Sequence, residues 1–239
     1  LDWKESIDFL LTSGERIIVN VFVYLLSYSR FRIYRLSIGK TQEILFSFLD
    51  DAFQTLGGAP DEILCDNMKT IMDQARTEHG QGKVNVRFQQ FADDYGFQVK
   101  PCIAGRPRTK AKVEAPMKIL DEIQAYSGTL TYMQLHELVE RINNRVNTQV
   151  NQGTGRIPLL YFKKERAFLQ PLPKDAIRKL YQLPTNTVKV NTSSMVTCRN
   201  KQYSVPPEYV GQTITYQLYD GHLHIYSNTK PIAVHRLSE

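Results

Sequence analysis

The feature that most constrains this chain is the apolar run Ile17–Leu26, broken only by Asn20. Ten residues are too few to span a bilayer, which needs about 20. The length and the β-branched content suit a strand, and because both of its faces are apolar the strand must be covered on both sides. The flanking residues extend the pattern. Residues 1–12 alternate as a first strand and Ser13-Gly14-Glu15 supplies a turn. Arg30–Ile38, with Arg30/Phe31/Arg32/Ile33 alternating, is expected as a half-covered third strand. Three strands joined by short turns predict an antiparallel meander.

Beyond residue 40 the period changes. Thr41 is a good N-cap, an amphipathic run reaches Leu56, and Gly57-Gly58 stops it. Asp61–Asp66 follows as a short buried strand, Val86–Tyr95 as a helix and Gln98–Ile103 as a strand. Gly105–Thr109 is expected as a loop, then a long helix from near Lys110 to Tyr126 and another over Thr131–Asn147. The order predicts a mixed sheet between helices and is similar to the RNase H-like fold. The fold class expected is therefore α/β: a mixed five-stranded RNase H-like sheet flanked by helices, followed by a small all-β barrel. The expected units are 1–150, the catalytic core, and 151–182, a proline-broken linker with one helix near Leu159–Phe168. The third, 183–239, has short strands at barrel-like spacing.

A net charge of +6 favours a polyanionic partner once the charge is located. Three scattered cysteines form no CxxC pair, which argues against a disulfide framework or a cysteine zinc site and fits a reducing, cytoplasmic compartment. No membrane segment is expected. The chain opens at Leu1, not methionine, directly before an acid, and is expected to be a piece of a longer protein.

Three acids fall where phosphodiester chemistry needs them. Asp2 lies on the first strand, Asp66 ends the fourth, and Glu114 sits early in the long helix. Transferring a phosphodiester requires stabilising charge on attacking and leaving oxygens, which two Mg²⁺ ions about 3.5–4 Å apart on a carboxylate cluster can do. By analogy with the RNase H-like topology, strands 1 and 4 are neighbours. Asp8, Asp61, Glu62, Asp73, Asp93 and Asp94 are the competing acids. Between Lys100 and Lys118, Glu114 is the only acid among Lys100, Arg106, Arg108, Lys110, Lys112 and Lys118. A lone carboxylate in so basic a stretch suggests a phosphate-contacting patch. His222-x-His224 could bind metal, but without a third ligand these are expected to be ordinary surface histidines.

Leu1-Asp2-Trp3, Leu64-Cys65-Asp66-Asn67-Met68-Lys69 and Gly105-Arg106-Pro107-Arg108-Thr109-Lys110-Ala111-Lys112-Val113-Glu114 resemble the three acidic motifs of the DDE integrase/transposase superfamily. They are closest to IstA-type insertion-sequence transposases, as is the linker Gln152-Gly153-Thr154-Gly155-Arg156-Ile157-Pro158 with Phe162 and Glu165. The Asp66-to-Glu114 gap, 114 − 66 = 48 residues, also resembles that group. The upstream helix-turn-helix of the family and most of the strand before Asp2 are missing from this stretch. The resemblance implies that Asp2, Asp66 and Glu114 bind two Mg²⁺ ions, with Mn²⁺ substituting, while water or a DNA 3′-hydroxyl attacks a phosphodiester in line. By position, Asn67, Lys69, Arg106, Arg108, Lys110 and Lys112 are DNA contacts. The implied partners are transposon-end and target DNA, an AAA+ helper ATPase and further copies of the chain on DNA, in a bacterial, nucleoid-associated setting. Two alternatives remain: a catalytically silent DNA-binding or assembly module, and a nuclease of the same fold.

Overall fold

The computed structural model describes residues 1–103 and 117–237. β1 (Asp2–Leu10), β2 (Arg16–Leu25) and β3 (Arg32–Ser37) form the expected antiparallel meander, and β4 (Glu62–Cys65) pairs in parallel with β7 (Gln98–Pro101). β2 is covered on both faces. Phe22 and Tyr24 point into one core, Val19, Val21 and Val23 into another. Asn20, the polar break in the apolar run, is buried and used: its amide accepts from Ser6 N–H at 3.0 Å and donates to the Ile38 carbonyl at 3.0 Å. Ser6 has φ 56° at a register shift in β1, so Asn20 satisfies the backbone that this bulge leaves unpaired.

The first core is closed by α1 (Gln42–Leu56) and α2 (Val86–Tyr95). Thr41 caps α1, and Gly57, at φ 81°, ends it in the left-handed conformation. Phe46, Phe53, Phe88 and Phe91 are fully buried between the two helices and stack at 4.9–6.4 Å. The second core is closed by α3 (Tyr132–Thr148), started by a Thr131–Gln134 capping box, and by the segment reaching Tyr126. Over Leu120–Tyr126 that segment is a 3-10 helix, not the α-helix expected there. β3 is buried on both faces, not half covered, because α3 lies across it. Asn143 and Asn147 of α3 bond its backbone at Tyr34 and Arg32, filling hydrogen bonds that an edge strand leaves open. A hairpin of β5 (Met72–Gln74) and β6 (Lys83–Val84) was not anticipated.

The 151–182 stretch packs tightly onto the core. α4 (Pro158–Glu165) contributes Phe162, stacked on Phe31 at 4.5 Å, and the Glu165 carboxylate accepts from Tyr28 and Ser29 N–H in the β2–β3 turn. From α5 (Asp175–Arg178), Arg178 forms a bidentate pair with the fully buried Asp50 at 2.7 and 3.1 Å, joined by Tyr95 and Gln182. Burial alone would raise the Asp50 carboxyl, but bonds from Arg178, Gln182 and Tyr95 outweigh it and hold the pKa below its usual value.

The C-terminal strands form two small sheets around a third core. β8 (Thr185–Lys189), β11 (Thr213–Tyr219), β12 (His222–Ser227) and β13 (Lys230–Arg236) make one; β9 (Met195–Cys198) and β10 (Lys201–Ser204) make the other. The β11–β12 turn has Asp220 and Gly221 at φ 56° and 72°. It approaches Gly39 so closely that the Asp220 carboxylate occupies the space a Cβ would need.

His224 corrects the expectation of surface histidines: it is 2% exposed and stacked on Tyr219 at 3.8 Å. Burial, with His222 beside it, pushes its imidazole down to about 3. The unfolded chain takes up that proton below about pH 6.5 while the folded chain does not. The His224 contribution to stability should therefore be constant above pH 6.5 and fall as pH drops from 6.5 towards 3, by about 2 kcal/mol at pH 5. Between pH 7.5 and 5.0, urea midpoints should lose less stability in His224→Phe than in the parent, by this amount. An equal pH loss in that variant would mean that another group carries it.

Candidate active site

The ladder of β1 and the parallel pair β4–β7 meet at one point: the Leu1 amino nitrogen donates to the Leu64 carbonyl at 3.0 Å. The start of β1 thus lies beside the end of β4. Asp2 is the first residue of β1 and Asp66 directly follows β4, so both half-buried acids stand at the same edge. Trp3 N–H donates to Asp2 Oδ1 at 2.8 Å. Trp3 points into the first core, so alternation along β1 turns Asp2 and Lys4 to the opposite face. On that face Lys4 Nζ meets Asp121 Oδ1 at 2.6 Å, which ties the Leu120–Tyr126 helix across the face that bears Asp2. Met117, nearby in sequence, packs against the second core.

Glu114 lies outside the described residues, as do Arg106, Arg108, Lys110 and Lys112. Among the described residues no group of three His, Cys, Asp or Glu is gathered as for a metal. The competing acids have other work. Asp8 pairs with Arg16, Asp61 accepts from Gln170, and Glu62 lies 4.0 Å from Lys100. Asp73 accepts from Asn85, Asp93 from Gln89 and Asp94 from Gln90.

The loop carrying Asp66 is held from its far side. Asn67 donates to the Cys102 carbonyl and accepts from Arg76 N–H, both at 2.9 Å, and the Arg76 guanidinium donates to the Pro101 carbonyl at 3.0 Å. The Asn67 amide is thus committed to bracing the loop between β4 and β7. Lys69, two residues on, is exposed. The Arg76 brace has no signature in the sequence, where it is one arginine in a polar loop.

Residues 3–107 match the integrase core domain family and residues 180–239 match the Mu transposase C-terminal domain. Asp66 lies inside the first span; Asp2 and Glu114 lie just outside it. The transposase for insertion sequence element IS232 of Bacillus thuringiensis subsp. berliner is 54% identical over 100% of the chain. The transposase for insertion sequence element IS21 of Pseudomonas aeruginosa is 31% identical over 99%. The chain spans 56% and 60% of the length of these two relatives. In fold it resembles a chain of the simian T-cell lymphotropic virus intasome in complex with the PP2A regulatory subunit B56 gamma. The TM-score there is 0.52 at 15% identity, over 99% of this chain and 78% of that one.

Proposed function

The chain belongs to the DDE integrase/transposase superfamily, with IS21-type insertion-sequence transposases among its relatives, and on that premise we propose that it cuts and joins DNA strands during transposition. In this reading β3-β2-β1-β4-β7 act as one five-stranded RNase H-like sheet, the two C-terminal sheets form a small barrel, and 1–150, 151–182 and 183–239 are core, linker and barrel. Asp2, Asp66 and Glu114 are the reacting carboxylates. The observation that supports this most is the Leu1–Leu64 bond, which brings the starts of two acidic motifs to one sheet edge.

Hard oxygen donors of this kind fit Mg²⁺ or Mn²⁺. When bound, such a cation would stabilise the charge that develops on the attacking and leaving oxygens. The residues of the chain supply the rest. Asn67 and Arg76 fix the Asp66 loop, and the Lys4–Asp121 pair fixes the segment that leads back to Glu114. The reaction is an in-line displacement. The oxygen of water or of a DNA 3′-hydroxyl gives up its proton and forms a new P–O bond, the old P–O bond breaks, and the departing 3′-oxygen takes up a proton. Lys69, Arg106, Arg108, Lys110 and Lys112 would hold backbone phosphates. DNA ends, target DNA, further copies of the chain and an AAA+ ATPase are the partners, in a bacterial cytoplasm. No helix among the described residues is long and apolar enough to cross a membrane.

The test is joining of a labelled DNA end to a plasmid by the chain with Mg²⁺. Joined product supports a transposase. Cleavage without joining would favour a nuclease, and binding without either would favour a silent assembly module.

A further inference from the structure

A cleft of ≈ 720 Å³ lies between the β2–β3 turn, the segment around Lys118 and the loop at 149–154. Its charged lining is Arg30, Arg32, Lys118, Arg145 and Glu122. Glu122 is already taken, with both carboxylate oxygens 2.7 Å from Arg145. Arg32 is only 6% exposed and its guanidinium bonds the Tyr34 hydroxyl, yet its Nε and Nη1, like Nη1 of Arg30, have no hydrogen-bond partner among the described residues. Buried guanidinium donors are rarely left unpaired unless ordered water or a ligand completes them. The backbone around them is set independently of these side chains. Asn147 brackets Arg32 through its N–H and carbonyl at 2.9 and 2.7 Å, Glu165 holds the turn, and Arg30 sits at φ 64°.

Position links the cleft to the carboxylates. Asp2 pairs with Val23 and Val23 with Tyr34, so these three share a face, and Arg32 lies two residues from Tyr34 on that same face. Two strand spacings across and two residues along put Arg32 about 12 Å from Asp2. A separation of that order is a few nucleotides along one DNA strand. The guanidinium fork matches phosphate oxygens in geometry and charge.

We propose that Arg32 and Arg30, with Lys118, hold a phosphate of the DNA backbone in this cleft, a few nucleotides from the reacting carboxylates. The proposal rests on the function proposed above for its choice of DNA as the ligand.

The experiment is duplex binding by the 239-residue chain in EDTA across a salt series, with R32M and R30M/R32M. Methionine keeps the apolar stem without the charge. R32M should unfold close to the parent's temperature, because it removes a buried cation with two unpaired nitrogens along with its bond to Tyr34. It should also bind DNA more weakly, with the log–log salt slope reduced by about 0.9, and the double variant by about twice that. An unchanged slope in R32M, or a lower unfolding temperature with DNA binding retained, overturns the proposal. The functional reading is judged apart from this, by joining with Mg²⁺ in the parent. If the parent neither joined nor bound duplex, that reading would fail. Inorganic pyrophosphate would then decide the cleft: protection of the parent that R32M loses upholds an anion site, and equal protection of both overturns it.

Discussion

Asp66→Asn is expected to lower Mg²⁺-dependent strand joining by at least about 10³-fold, equivalent to ~4 kcal/mol of transition-state stabilisation, while leaving folding and metal-free DNA binding intact. The substitution is nearly isosteric and removes one negative oxygen from the sheet edge where Asp2 also stands. It leaves the Asn67–Cys102 and Asn67–Arg76 bonds that brace the loop untouched. Asp61→Asn is the control. Asp61 lies at the other end of β4, where its carboxylate accepts from Gln170 at 2.7 Å, and joining should survive its loss. Single-turnover joining assays on both variants, with circular dichroism on each, read the result. Equal activity of the Asp66 variant and the parent would remove Asp66 from the chemistry.

The second large effect concerns the fold. Arg178→Met should cost about 3–5 kcal/mol, because it strands Asp50, fully buried, without its counter-ion. For a chain of this size that lowers the unfolding temperature by about 6–20 °C. The double variant Asp50→Leu/Arg178→Met should recover most of the loss, since the orphaned charge is gone as well. A double variant no better than the single would mean that Arg178 acts through packing of its stem. The pH dependence has a definite sign. The folded Asp50 pKa lies below its unfolded value, so its stabilisation is full above the unfolded pKa, near 3.9. It is lost as pH falls below that value. Thermal melts at pH 7 and pH 3 should show the parent losing more than the double variant.

Much of the fold was legible in residue periodicity. The two-sided apolar run over Ile17–Leu26 demanded a central strand and became β2. Thr41 and Gly57-Gly58 marked the ends of α1, and Val86–Tyr95 emerged as expected. What was not legible depends on partners distant in sequence. Alternation of Arg30 and Arg32 reads as a wet face, and only the packing of α3 buries Arg32. The proline-broken stretch 151–182 reads as a linker, but contacts distant in sequence, among them the Asp50–Arg178 pair, Glu165 on the β2–β3 turn and Phe162 on Phe31, fasten it to the core. His224 looks like any strand histidine until Tyr219 stacks on it. For the candidate site, the sequence named Asp2 and Asp66, and the Leu1–Leu64 bond sets the start of β1 beside the end of β4. The Asn67–Arg76 brace joins a loop to the end of β7, a link that no local pattern encodes.

In the proposed function, Asp2, Asp66 and Glu114 together hold divalent metal at one sheet edge. Anomalous diffraction from crystals of the chain grown with a DNA end and Mn²⁺ addresses it most directly. Anomalous peaks are expected, ligated by carboxylate oxygens of Asp2 and Asp66 with Glu114 completing the site, and these peaks should be lost in Asp66→Asn. Peaks ligated by other acids, or peaks unchanged in Asp66→Asn, would contradict it.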